Sequence, residues 1–204
     1  MDINIIKESL FLLPDSIVFG SFLFGVLTLS IQHSLFFFSI LESLVFLYGY
    51  QHLSAFLFGN SLENITCKPS LFKYTFDNIF TKPSAHANFP SYGMYVVSFA
   101  STYIATSLAT IKQELDVLDT SYVKQYNYGL ICLGLLTMTY ALLRTYLKCD
   151  TAGSIGLALV LGAVTAFAIV YQNTHLFGRN SVNFMGIPLL RSKTADGQPI
   201  YICS

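Results

Sequence analysis

The stretch from Gly153 to Tyr171 constrains the fold most, because it contains no charged residue. At a rise of 1.5 Å per residue, about 20 apolar residues cross the hydrocarbon core of a bilayer. Small residues recur at every fourth position of this stretch, at Ser154, Ala158, Gly162 and Ala166. Because small residues let two membrane helices approach closely, the stretch predicts a spanning helix packed inside a bundle. The alternative is a generic span in which these residues are incidental.

The composition of the chain agrees with a membrane protein. Of its 204 residues, 53% are hydrophobic and 11% are charged, whereas a soluble domain has about 25% charged residues. The eleven basic residues balance the eleven acidic ones, so no net positive field is available to attract nucleic acid. We therefore expect one membrane domain surrounded by a lipid bilayer, without a nucleic-acid partner.

The N-terminal segment predicts a short helix that lies at the membrane interface. Apolar residues recur there at helical spacing, at Ile3, Ile6, Leu10 and Leu13. Pro14 follows them, and we expect it to end this helix because proline lacks a backbone N–H and clashes with the preceding turn.

The apolar run from Ser16 to Leu62 is too long for one membrane crossing. As a single helix it would measure about 70 Å, more than twice the hydrocarbon thickness. The polar trio from Gln32 to Ser34 marks the best place for a turn, so this region predicts a helical hairpin. The whole chain predicts an all-α bundle of four or five spans, over about 16–32, 35–57, 91–111, 126–143 and 153–171.

The third span carries a second face of small residues, at Ser101, Ala105 and Ala109. We expect this face to pack against another helix. The second span contains Glu42, the one acid well inside a hydrophobic segment. Ionised residues there are costly, so one interpretation is a proton or ion site. The other is a carboxyl near the interface, protonated or bonded to a neighbouring helix, and the lack of a clear charged partner in the spans favours it.

Catalytic or cofactor chemistry finds no support in the sequence. The cysteines Cys67, Cys132, Cys149 and Cys203 form no C-x-x-C pair. Cys132 lies in the middle of a span and is interpreted as a small core residue, whereas pairing of Cys149 with Cys203 or with another chain stays open. The four histidines are spread along the chain, although haem and metal sites need convergent ligands. We expect no enzyme activity, no cofactor, no metal and no small-molecule substrate.

In this interpretation residues 1–178 form the transmembrane domain and residues 179–204 an arm outside the membrane. Two β-favouring runs flank Asp196-Gly197, a turn signal, and Pro199 restricts the second run to a sheet edge. The arm is too short to build its own core, yet it is too apolar to stay solvated. We therefore predict that it binds another protein through Phe184, Ile187, Leu190, Ile200, Tyr201 and Ile202.

Basic residues do not set the membrane orientation, because six of them fall on one side of a five-span chain and five on the other. The longest connection, from Glu63 to Phe89, is rich enough in apolar residues to predict an ordered loop that packs on the membrane surface or on a partner. It contains the sequon Asn64-Ile65-Thr66, whose closeness to the membrane edge argues against glycosylation.

The tail resembles a known family. Its segments NFMGIPLL, starting at Asn183, and KTADGQPIYIC, starting at Lys193, are similar to the C-terminus of polytopic membrane proteins of large icosahedral nucleocytoplasmic DNA viruses. The hydrophobic hairpin 16–50 and the tyrosine-rich start of the fourth span are also similar. The resemblance implies a virion protein in the internal membrane beneath the capsid, with capsid or other virion membrane proteins as partners. It would anchor that membrane to the shell through its loop and its arm.

The alternative function is a small multi-pass transporter or channel subunit with Glu42 as its intramembrane site. Such a protein would need a polar pathway through the spans, and only Glu42 hints at one.

Overall fold

The computed structural model describes residues 3–58, 89–112, 120–184, 189–193 and 199–202. Its elements in chain order are helices α1 (Ile3–Thr28), α2 (Ile31–Phe58), α3 (Tyr92–Thr110), α4 (Thr120–Tyr146) and α5 (Ala152–Phe177), a 3₁₀ helix (Arg179–Val182), and strands β1 (Leu189–Lys193) and β2 (Pro199–Ile202). The helical fold is therefore confirmed. Within the described residues, three stretches are long and apolar enough to cross a membrane, at Ile31–Ser54, Lys124–Tyr146 and Ala152–Phe177.

Helix α1 continues through Pro14, so the prediction that this proline ends the first helix is wrong. A proline inside a helix removes one backbone hydrogen bond and costs roughly 3 kcal/mol. Tertiary packing outweighs this cost, because Leu13 and Ile17 contact the hydrophobic core on either side of the proline and Val18 is fully buried within it. Helices in proteins owe most of their stability to such packing rather than to local propensity.

The turn of the helical hairpin lies at Leu29 and Ser30, so its predicted position at Gln32–Ser34 is wrong. Leu29 has a φ of 48°, and this left-handed conformation reverses the chain within two residues. The Ser34 N–H donates to the Ser30 carbonyl at 3.0 Å, and the Ser30 hydroxyl donates to Gln32 Oε1 at 2.6 Å. The polar trio thus forms the first turn of α2 rather than the loop before it.

Contacts between helix ends define one face of the bundle. Gln51 near the end of α2 donates through Nε2 to the Pro90 carbonyl at 3.0 Å, just before α3 begins. The Ser91 hydroxyl donates to Asp150 Oδ2 at 2.8 Å, so the start of α3 lies beside the connection from α4 to α5. We call this side, where α2 and α4 end and α3 and α5 begin, the Cys149 face.

The opposite side is formed by the other ends of the same helices. The α1–α2 turn lies there, as do the ends of α3 and α5, and Arg179 after α5 donates through Nη2 to the carbonyl of Thr110 at the end of α3. We call this side the arm face, because the chain continues from it into the 3₁₀ helix and the strands. Helices α3 and α5 therefore run parallel to each other.

Helix α3 occupies the centre of the bundle. The first nine residues of this helix, 92–100, are all buried, and the helix packs against α1, α2, α4 and α5. It is not among the three stretches apolar enough to cross a membrane by composition alone, because it is rich in serine and threonine. A membrane helix that its neighbours shield from lipid can have a lower hydropathy than a lipid-facing helix, because its polar groups bond to the other helices.

Strands β1 and β2 pair in an antiparallel ladder. Leu190 lies opposite Tyr201 and Leu189 opposite Ile202, with an irregularity between Leu190 and Ser192. Residues 194–198, which contain the predicted Asp196-Gly197 turn, lie outside the described residues, as does Ile187. The proposal that this segment is an arm for a partner stays a prediction.

Candidate functional site

The small residues of α5 lie in a close seam against α3. Ser154, Ala158, Gly162 and Ala166 are all buried. A Cβ added to Gly162 would lie 2.8 Å from the Tyr95 carbonyl oxygen and 3.1 Å from the Phe99 backbone nitrogen. The seam also contains an interhelical hydrogen bond, in which the Ser98 hydroxyl donates to the Leu159 carbonyl at 2.8 Å. The backbones of the two helices therefore approach as closely as a glycine allows.

The second small face lies beside α4. Ser101 and Ala105 line a cavity of about 350 Å³ between α3, α4 and α5, whereas Ala109 is exposed. The Thr137 hydroxyl of α4 donates to the Ser101 hydroxyl at 2.9 Å and to the Leu133 carbonyl at 2.8 Å. Apart from the hydroxyl groups of Ser98, Ser101, Thr102 and Thr137, the cavity lining is apolar. The lining contains no charged residue.

A buried polar cluster joins three helices and the 3₁₀ helix near the arm face. Asn173 on α5 donates through Nδ2 to the Ser39 hydroxyl at 2.8 Å and to the Tyr103 hydroxyl at 3.0 Å. The Ser181 hydroxyl donates to the Asn173 carbonyl at 3.1 Å. All four residues are buried. We call this set the Asn173 cluster, and it bonds α2, α3, α5 and the segment after α5 to one another.

Glu42 lies beside this cluster and is half-buried. Its carboxylate accepts a hydrogen bond from Gln172 Nε2 on α5 at 3.2 Å. Glu42 thus has the geometry of the second interpretation, a carboxyl bonded to a neighbouring helix. Whether it also serves an ion stays untested.

The second buried polar cluster lies at the Cys149 face and was missed by sequence reasoning. Arg144 forms an ion pair through Nε with Asp150 and donates through Nη1 to the Tyr140 hydroxyl at 2.9 Å. Asp150 also accepts from the Ser91 hydroxyl. Arg144 and Asp150 are each only 8% exposed. We call these four residues the Arg144 cluster, and it joins α3, α4 and the start of α5.

The sequence contained one signal for this ion pair. Arg144 follows an apolar span and Asp150 precedes the next one, so both lie in a short reversal that brings the two helices together. Their burial follows from the start of α3, which covers the reversal and which no local pattern places there.

The predicted partner-binding residues divide into two groups. The ring of Phe184 packs on the bundle, with centroids 5.6 Å from His33, 5.5 Å from Phe36 and 6.0 Å from Tyr103, and its role in binding a partner stays a prediction. The remaining described residues lie in the strand pair, at Leu190, Ile200, Tyr201 and Ile202. Docking of Phe184 fixes the start of the arm against α2 and α3.

Two cysteines fall within the described residues and differ in state. Cys132 is a free thiol and is exposed on α4, so its interpretation as a core residue is wrong; α4 presents this face outward because it packs mainly on α3. Cys149 is disulfide-bonded, and its partner lies outside the described residues. No group of three histidine, cysteine or acidic residues that could hold a metal ion occurs in the described part of the chain.

No protein-family model, curated protein or solved structure matches this chain. The class of protein therefore follows from the fold and the buried clusters alone. They define a helical membrane protein in which two buried polar clusters bond one helix to the next.

Proposed function

We propose that the chain is a structural multi-pass membrane protein that crosses the bilayer five times. Helices α2 and α4 both end at the Cys149 face, so the chain must return to the arm face between them. Helix α3 makes that return, although its composition alone would not mark it as a span. The apolar part of α1, Leu12–Thr28, is close to the shortest length, roughly 17 residues, that crosses a bilayer.

The observation that carries a structural role is the use of the buried polar groups. Both buried clusters bond helix to helix, and the cavity between α3, α4 and α5 has a mainly apolar lining. A channel or transporter needs polar groups that line a pathway, and such residues mark substrate routes in membrane proteins. The described bundle instead uses its polar groups as interhelical contacts, which suits an anchor.

We further propose that the protein belongs to a virus particle and anchors the internal membrane to the capsid shell. The resemblance of the tail to virion membrane proteins motivates this step. A two-stranded ladder has two unpaired edges, and such an edge pairs readily with a strand of another protein. The connection 59–88 begins and ends at the opposite face, so we assign the shell contact to the arm and not to both segments.

Deletion of residues 193–204 tests the anchoring role. The truncated chain should still insert into membranes, because the deletion leaves the bundle and the docked Phe184 intact, but its incorporation into particles should fall. Lys148→Ala is a matched control at the Cys149 face, where an exposed side chain is changed and incorporation should stay normal. Normal incorporation of the truncated chain would sink the anchoring proposal. An ion flux in reconstituted vesicles that depends on Glu42 would instead favour the transporter.

A further inference from the structure

We propose that the Cys149 face lies in an oxidising compartment and that the arm face lies in the cytosol. The disulfide bond of Cys149 carries this inference. Disulfides form and persist in compartments such as the lumen of the endoplasmic reticulum, whereas cytosolic thiols are kept reduced. A disulfide that is part of the folded bundle therefore marks the side of the membrane on which its cysteine lies.

The contacts around Cys149 fix its position at one face of the bundle. Its backbone N–H donates to the Arg144 carbonyl at 3.0 Å, and the next residue, Asp150, accepts from the Ser91 hydroxyl. Cys149 itself is buried between these segments. The disulfide is therefore attached where α4 ends and α3 and α5 begin, at the far end of the helices from the arm.

Cation counts do not decide the orientation, so the disulfide is needed. Among the described residues, exposed cations at the arm face are Lys112, Lys124 and Arg179, against Lys148 at the Cys149 face. Three further lysines occur in the connection 59–88 and offset this difference. The two faces therefore carry similar numbers of basic residues, and the positive-inside rule does not assign the orientation of this chain.

The orientation identifies the side on which a partner of the arm must be found, and this step rests on the proposed anchoring function. The chain leaves α5 at Gly178 on the arm face, and Ser181 and Phe184 contact the bundle there, so the arm starts on the cytosolic side. The partner is then a protein that folds in the cytosol and offers a β-edge to the arm. A secreted or lumenal protein would meet only the Cys149 face.

Cysteine labelling of the full chain in sealed microsomes tests the orientation. Leu29 at the arm-face turn is 89% exposed and Tyr146 at the Cys149 face is 82% exposed, so Leu29→Cys and Tyr146→Cys form a matched pair. Both are placed in a background that keeps Cys149 and its paired cysteine and replaces Cys132 and the remaining native cysteine, so that the introduced cysteine supplies the free thiol. A membrane-impermeant maleimide should modify Leu29→Cys in sealed vesicles and Tyr146→Cys only after detergent opens them. A lumenal marker protein controls for leakage.

The disulfide is measured on the same preparation. Alkylation in denaturant without reductant should modify one more thiol in Cys149→Ser than in the parent, because the substitution releases the paired cysteine. A count one thiol lower in Cys149→Ser than in the parent would show that Cys149 is a free thiol, and this result would remove the basis of the inference. With the lumenal marker shielded, any labelling pattern other than the expected one overturns the orientation. Loss or retention of particle incorporation after arm deletion bears only on the anchoring function, so the two failures are distinguishable.

Discussion

Replacing Gly162 by alanine tests the close approach of α3 and α5. The added Cβ would lie 2.8 Å from the Tyr95 carbonyl oxygen, whereas an ordinary contact begins at 3.4 Å. The helices would have to separate by the difference, 3.4 − 2.8 = 0.6 Å. Two of the three nearest atoms belong to the backbone of α3 and the third is the Ser98 Cβ, which no side-chain rotation moves.

The magnitude follows from two opposing terms. Overpacking a well-packed core lowers the free energy of unfolding by about 1–3 kcal/mol. Alanine in place of glycine inside a helix raises it by about 0.5–1 kcal/mol. Gly156→Ala is the matched control on the same helix, because a Cβ there meets no atom within 4 Å. The control should therefore show only the gain, and Gly162→Ala should be less stable than the control by about 1–3 kcal/mol.

Thermal unfolding of the purified full chain in detergent micelles measures this difference. For a chain of this size, 1 kcal/mol shifts Tm by roughly 2–4 °C, so the two variants should differ by roughly 2–12 °C. Equal Tm values for Gly162→Ala and Gly156→Ala would refute the close seam. A higher Tm for Gly162→Ala would do so more strongly, since it would require free space where the structure has backbone atoms.

Three further substitutions test the buried polar groups. Arg144→Ala should destabilise the chain by about 3–5 kcal/mol because it leaves the buried carboxylate of Asp150 unpaired. The double variant with Asp150→Asn should recover part of this stability in the same unfolding assay, and no recovery would argue against the ion pair. Asn173→Ala should lower the free energy of unfolding by about 1–3 kcal/mol because two buried hydroxyls lose their donor. The control His175→Ala, at an exposed position on the same helix, should change it by no more than about 0.5 kcal/mol. Equal effects of the two substitutions would contradict the Asn173 cluster. Glu42→Gln should preserve folding and particle assembly because the amide keeps the size and most hydrogen bonds. If the unchanged protein carried an ion flux in reconstituted vesicles and the Glu42→Gln variant did not, Glu42 would be a transport residue.

The sequence predicted those features that depend on local pattern. Helix α3 was expected over 91–111 and spans Tyr92–Thr110, because hydropathy and helical spacing are properties of neighbouring residues. Helix α5 was expected to end at residue 171 but continues to Phe177. Its last turns carry Gln172 and Asn173, which lower the hydropathy, and these residues stay helical because they bond to α2 and α3.

The missed features depend on contacts between distant parts of the chain. Burial of Arg144 and Asp150 requires the start of α3, more than 50 residues earlier in the sequence, to cover the α4–α5 reversal. Phe184 was assigned to a partner because it is apolar and lies beyond the last span. Within the bundle it contacts His33 and Phe36 on α2, and no periodicity in the tail indicates these contacts.

The two polar clusters lie at opposite ends of the α3–α5 pair, and this placement bears on the proposed anchoring function. Apolar packing is non-directional, whereas a hydrogen bond depends on the distance and angle between its two groups. The bonds from Ser91 to Asp150 at one end and from Asn173 to Tyr103 at the other therefore add to the close seam in resisting movement of one helix along the other. The arm starts immediately beside the second cluster, where Ser181 bonds to the last turns of α5. A pull on the arm would therefore be shared by three helices, and weakening the Asn173 cluster should loosen the arm before it unfolds the bundle.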